Sequence, residues 1–174
     1  PPKGVNYGSN ATDCDAPPMV TIANAVHVVA VAVDAEDGRV TIEDYVVVHD
    51  CGRVINPMIV DGQVHGGVAQ GIGEALMEEF VYDETGQMLN ANLLDYMLPT
   101  AMDIPNIRID HVETPTTDAV GGFKGIGESG VIGAVPAVGN AVADAVAGLG
   151  GKINRVAMGP PVVEGLGGAG LDGG

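Results

Sequence analysis

Residues 124–130, Lys-Gly-Ile-Gly-Glu-Ser-Gly (KGIGESG), separate two kinds of fold. The last six match G-x-G-x-x-G, the turn that cradles a dinucleotide pyrophosphate in a doubly wound parallel sheet. That fold requires a buried strand just before the glycines, a helix just after, and an acidic residue about twenty positions on. Here the preceding residues are TPTTDAVGGFK, which form no strand, and Asp144 comes too early. Nothing beyond the following helix supplies a second parallel strand, and Glu128 would bring a carboxylate against the pyrophosphate. The nucleotide reading fails. Two remain open: a glycine turn with a solvated Glu128, or a glycine loop that brings backbone amides to a ligand and holds a carboxylate among them.

Composition narrows the partners. At 174 residues the chain fits one domain and can bury a core. Nearly half of it is apolar, unlike a disordered segment. Seven basic residues stand against 23 acidic ones, a formal net charge of −16. Such a surface repels phosphate backbones and anionic headgroups, so nucleic acid and membrane surfaces are not expected partners. No signal-peptide pattern opens the sequence, and no apolar run reads as long enough to span a bilayer. Two cysteines, Cys14 and Cys51, without a secretory signal favour a reducing compartment, hence a cytoplasmic location. The sequon at Asn10 is then accidental.

Residues 1–20, rich in Pro, Gly, Asn and Asp, read as an extended arm. AVHVVAVAV (25–33) has the β-branched run of a buried strand, and Val40–Val48 pairs with it across the Asp37-Gly38 turn. Residues 49–60 read as a loop. Val64, Val68, Ile72, Leu76 and Phe80 then recur every four residues, a helical stripe. Gly62, Gly66, Gly67, Gly71 and Gly73 lie in or just before it, and each interior one costs roughly 1 kcal/mol against Ala. The compensation is close approach of backbone, to another element or to a ligand. Residues 82–88 hold a turn, Asn92–Pro99 a short strand or covering segment, Ile107–Val112 a strand, and 114–130 a loop. A helix is expected from Pro136 to Leu149, with Pro at its first turn. Residues 157–174 read as a Gly/Pro-rich flexible or neighbour-pinned tail.

Three segments taken together go further: DCGRVINPMIVDGQVHGGVAQGIGEALMEE (50–79), YDETGQMLNANLLDYMLPTAMDIPNI (82–107) and ETPTTDAVGGFKGIGESGVIGAVPAVGNAVADA (113–145). In this order they resemble the C-terminal part of the large subunit of the molybdenum hydroxylases, the xanthine oxidase family. The resemblance runs from roughly His27 to Ala147. It implies a mixed α/β (α+β) fold: the C-terminal lobe of a molybdopterin-binding domain, over residues 21–156, completed by another chain. It implies an oxidoreductase acting on an aldehyde, N-heteroaromatic or similar small substrate with water-derived oxygen. Glu128 becomes the general base beside the molybdenum, a role suited to a carboxylate partly removed from water. Gly125, Ile126 and Gly127 would hold amides near the metal ligands, with Lys124 supporting the loop or offsetting its charge. Cys51, Gly52, Asn56 and Gln63 would contact the cofactor, since helix N-termini accept phosphate and amides can read pterin edges. For Cys51 the alternative is a small buried loop residue. It has no spaced partners for an Fe–S cluster, and no His or Cys constellation suggests a protein-ligated metal. His27, His49, His65 and His111 read as structural or hydrogen-bonding groups.

The implied cofactor is molybdopterin with molybdenum, as the cytosine dinucleotide, with [2Fe–2S] and FAD on companion subunits. The earlier part of the family's large subunit supplies further cofactor loops and most substrate contacts, so a larger molybdopterin-binding chain is an expected partner. The competing reading is a non-catalytic assembly subunit of such a complex, which would have no need of an intact GIGE loop.

Overall fold

A computed structural model describes residues 21–148, 153 and 155–159; the expected arm at 1–20 and the tail from 160 lie outside these. Five elements follow one another: strand β1 (Asn24–Val33), strand β2 (Val40–Asp50), helix α1 (Pro57–Leu76), strand β3 (Ile107–His111) and helix α2 (Ser129–Ala147). The expected hairpin is present. β1 and β2 pair antiparallel from Asn24↔Asp50 to Val33↔Val40, with a bulge at Ala30/Val31. The Asp34 carboxylate accepts from the Glu36 amide at 2.8 Å, and Gly38 takes φ 69°, a left-handed conformation that suits glycine. β3 adds on the other edge of β2, parallel to it, with His49 opposite His111. The parallel pairing follows from the long crossover through α1.

Both helices cover one face of this sheet. Tyr45, Val47 and Ile107 from the strands meet Val64, Val68, Ile72 and Ala75 of α1 and Ala134, Val138, Val142 and Val146 of α2. β1 is half-buried on alternate residues only, leaving Val26 and Val28 exposed, which corrects the reading of a buried strand.

The glycines of α1 have two different reasons. A Cβ on Gly67 would lie 2.8 Å from the backbone of Gly130, and one on Gly71 would lie 2.5 Å from the Ala134 methyl. These glycines let α1 and α2 pack with their backbones nearly touching, so here the close approach is to another element. Gly62 and Gly66 meet nothing within 4 Å.

Several boundaries differ from expectation. The loop at 49–60 is shorter, because β2 continues to Asp50 and α1 starts at Pro57, one residue after its cap Asn56. Proline at the first helical position lacks only an N–H that would be orphaned anyway. α1 ends at Leu76, where the amides of Met77 and Glu78 both turn onto the Gly73 carbonyl, so Phe80 lies outside it and is exposed. Residues 92–99 form turns held by Asn92, whose carbonyl accepts from the Asp95 and Tyr96 amides, and no strand. The turn at 82–88 is present, closed by a Tyr82–Met88 bridge. α2 begins at Ser129 and carries Pro136 inside it. Its 19 residues are long and apolar enough to cross a membrane by length and composition, contrary to the sequence reading. Five of them nevertheless sit in the core against α1 and β1. The expected tail starts with two fixed residues: Met158 is buried, and its amide donates to the Ala75 carbonyl at 2.8 Å.

Candidate functional site

At one end of the sheet, the chain leaving β2 meets the chain entering α2. The Lys124 amide donates to the Cys51 carbonyl at 2.7 Å, and the Arg53 amide to the Gly122 carbonyl at 3.0 Å. Gly52 and Phe123 form an isolated antiparallel bridge between these bonds. Segments about seventy residues apart in sequence are thereby pinned into one surface. The fit is close: Gly52 sits at φ 69°, and a Cβ there would lie 2.3 Å from the Gly122 carbonyl oxygen. Gly122, at φ 75°, would collide with Pro115. The join itself requires both glycines.

An ion pair locks this join. The Lys124 ammonium lies 3.4 Å from Asp50 Oδ1, with only 11% and 14% of the two side chains exposed. The same carboxylate oxygen accepts from the Gly52 amide at 2.7 Å and the Thr114 amide at 3.1 Å. Burial pushes the Asp50 carboxyl up, but the hydrogen bonds from Thr114, Gly52 and Lys124 outweigh it and bring it down to about 2. Lys124 thus supports the loop through Asp50. Cys51 is buried and its thiol is raised, by burial first and by the nearby carboxylates of Asp50 and Glu113. It fits the reading of a small buried loop residue.

Beyond Lys124 the chain opens outward. Gly125 and Gly127 are exposed, and a Cβ on either would meet nothing within 4 Å. Nothing in the chain's own packing requires glycine here. Among the described residues, no hydrogen bond takes up the main-chain N–H of Gly125, Ile126 or Gly127. Three successive free donors next to unobstructed glycine Cα atoms suit an anionic or carbonyl-rich group approaching from outside. Ile126 turns its side chain back onto the core and anchors the stretch.

Glu128 follows as the N-cap residue of α2, at φ −113° and ψ −2°, and its side chain makes no capping bond. It is exposed in this chain, rather than partly removed from water as the sequence reading expected. An open depression of about 330 Å³ adjoins it, lined among others by Ile22, Gly125, Gly127 and Ile132.

The other candidates lie at the start of α1. Asn56 Oδ1 accepts from the Ile59 amide at 3.3 Å, so this oxygen caps the helix while the amide nitrogen is left out of that cap. Gln63 is exposed almost two turns further on, beside the unobstructed Gly62 and Gly66. Neither is joined by hydrogen bonds to the 124–128 stretch.

Sequence reasoning did not foresee the histidine cluster behind the loop. His27, His49 and His111 all point from the sheet into its helix-covered face. His27 Nδ1 lies 3.0 Å from the Tyr45 hydroxyl, His49 Nε2 is 2.8 Å from Ser129 Oγ, and His111 Nε2 is 2.7 Å from Asp61. The signal was present in the alternation: odd residues on β1 and β3, and on β2 from Tyr45 onward, face inward, and each strand carries one histidine in that register.

The comparisons with known proteins agree on one relationship. A family profile described as a molybdopterin cofactor-binding domain matches residues 4–105. The nicotine 6-hydroxylase large subunit of Paenarthrobacter nicotinovorans is 43% identical over 141 residues, covering 81% of this chain and 17% of that protein. Quinoline 2-oxidoreductase from Pseudomonas putida 86 superposes with a TM-score of 0.82 at 45% identity, over 84% of this chain and 19% of that one. The Cu,Mo-CO dehydrogenase matches with a TM-score of 0.85 at 35% identity, over 88% and 19%. The chain therefore spans less than a fifth of the length of these proteins.

Proposed function

Because the chain belongs to the molybdopterin cofactor-binding domain family of the molybdenum hydroxylases, we propose that it forms part of the cofactor-binding wall of such an enzyme and carries its general base, Glu128. The observation that supports this most is the pinning of the Cys51–Gly52 segment to the Phe123–Lys124 segment. It turns two distant motifs into one surface that ends in three free amides and a carboxylate.

The residues fit the group they would hold. When bound, the molybdenum cofactor supplies two-electron oxidation of a small substrate with water-derived oxygen. The amides of Gly125, Ile126 and Gly127 would donate to it, and the absence of Cβ atoms at Gly125 and Gly127 would let it come close. The Asn56 amide nitrogen and the exposed Gln63 carboxamide would be available to its pterin or nucleotide portion. Cys51 and Gly52 contribute main chain and shape. Glu128 accepts a proton on its carboxylate as the substrate is hydroxylated; positioned acid–base groups contribute about 10²–10⁴-fold to rate. Companion iron–sulfur and FAD subunits then accept the electrons, and the rest of the large subunit supplies the substrate contacts.

Analysis of the purified native complex tests this reading. About one molybdenum and one pterin per copy of this chain is the expected result, and hydrolysis of the pterin identifies its nucleotide. A complex free of both would mean a non-catalytic assembly role.

A further inference from the structure

We propose that His49 and Ser129 are positioning residues that hold the turn presenting Glu128. The inference rests on the reading of Glu128 as the base and assigns what aims it. Glu128 makes no hydrogen bond through its side chain to the cap of its own helix. Its direction is therefore set by the main chain around it, at φ −113° and ψ −2°, and by whatever holds that turn in place.

Ser129 does so from the next position. Its amide donates to the Ile126 carbonyl at 3.2 Å, and its hydroxyl donates to the same oxygen at 3.0 Å. A serine hydroxyl has one proton. Having given it to Ile126, Oγ must accept from His49 Nε2, 2.8 Å away. In this arrangement the His49 proton sits on Nε2 and Nδ1 is an acceptor. The rest of the site agrees. His49 Nδ1 is buried with no partner among the described residues, as suits an acceptor that carries no proton. His49 itself is 1% exposed. It is held by the sheet ladder between Ala25 and His111, and its ring meets the His111 ring edge-on at 6.0 Å.

The clamp thus runs from a buried strand residue to an exposed loop. β2 fixes His49, His49 fixes the Ser129 hydroxyl, and that hydroxyl closes the Ile126–Ser129 turn with Glu128 inside it. Gly130 seats the next residue against the Val64 carbonyl of α1, where a Cβ would come within 2.8 Å. The turn is therefore held on both sides, and the carboxylate can swing only about its own side-chain torsions.

Ser129→Ala in the assembled enzyme removes the hydroxyl with little change in volume. The expected result is a fall in kcat of about 10²-fold, the scale of a misplacement near 1 Å, with KM and molybdenum content within about twofold. Ser129→Thr, which keeps the hydroxyl, should restore kcat to within about threefold. His49→Leu removes the donor; combined with Ser129→Ala it should add nothing further, since both act through one bond. In parallel, amide exchange at residues 128–132 should quicken about tenfold or more in Ser129→Ala. Unchanged kcat and unchanged exchange in Ser129→Ala would overturn the proposal, as would a threonine variant no better than the alanine one. Should Glu128→Gln leave turnover intact, the reading of Glu128 fails on its own. Faster exchange in Ser129→Ala would then still support the clamp, and unchanged exchange would still overturn it.

Discussion

Asp50 shows how much a single carboxylate can organise. One of its oxygens takes two main-chain amides and faces Lys124, so the end of β2, the loop after β3 and the loop before α2 share one anchor. Its carboxyl is brought down to about 2 from an ordinary 3.8. A group depressed on folding adds stability above its unfolded value, and that contribution is lost as the pH falls through the folded value. Asp50→Asn keeps an acceptor but removes the charge. It should lower the urea midpoint at pH 7, and the gap from the parent should close as the pH falls from about 4 to about 2. A gap of constant size over that range would show that the ion pair contributes nothing. The anchor was not legible beforehand, because two of its three partners, Thr114 and Lys124, lie 64 and 74 positions away and follow no local pattern.

At the level of elements, the helix pair depends on where side chains are absent. Gly67 and Gly71 face Gly130 and Ala134 across an interface with no room for a methyl group, whereas Gly66 faces open space. Gly71→Ala should therefore destabilise the fold by about 1–3 kcal/mol through overpacking. Gly66→Ala, five residues away on the same helix, should be neutral or stabilising by up to about 1 kcal/mol. Denaturation midpoints of the two variants check this, and equal effects would contradict the packing. The sequence already showed the cost of these glycines and the two forms the compensation could take. It also showed the hairpin, because Asp37-Gly38 and the flanking β-branched runs are local signals. The start of α2 was misplaced because Pro136 imitates a helix N-terminus, while the tertiary contact of Gly130 with α1 overrides it. The Cys51–Lys124 join was not legible, since its hydrogen bonds are between main-chain atoms of segments about seventy residues apart, and the resemblance only assigned both segments to the cofactor.

At the scale of the whole molecule, the described residues leave much apolar surface uncovered. Leu93, Leu94, Met97 and Met102 stand 58–92% exposed along one segment, and Val26 and Val28 are bare on the outer face of the sheet. Isolated soluble domains seldom leave so many large apolar side chains together in water. The chain matches only 17–19% of the length of its relatives, and we propose that the remainder of such a large subunit covers this surface. Leu94→Lys with Met102→Lys should leave the circular dichroism of the chain unchanged yet prevent its co-purification with the rest of the large subunit. Full recovery of the complex would contradict that assignment. The proposal that matters most is Glu128, four residues beyond the join, as general base. Its most direct test is turnover of the assembled enzyme carrying Glu128→Gln, measured alongside molybdenum content. The account expects a loss of about 10²-fold or more with metal fully retained; near-normal turnover would contradict it.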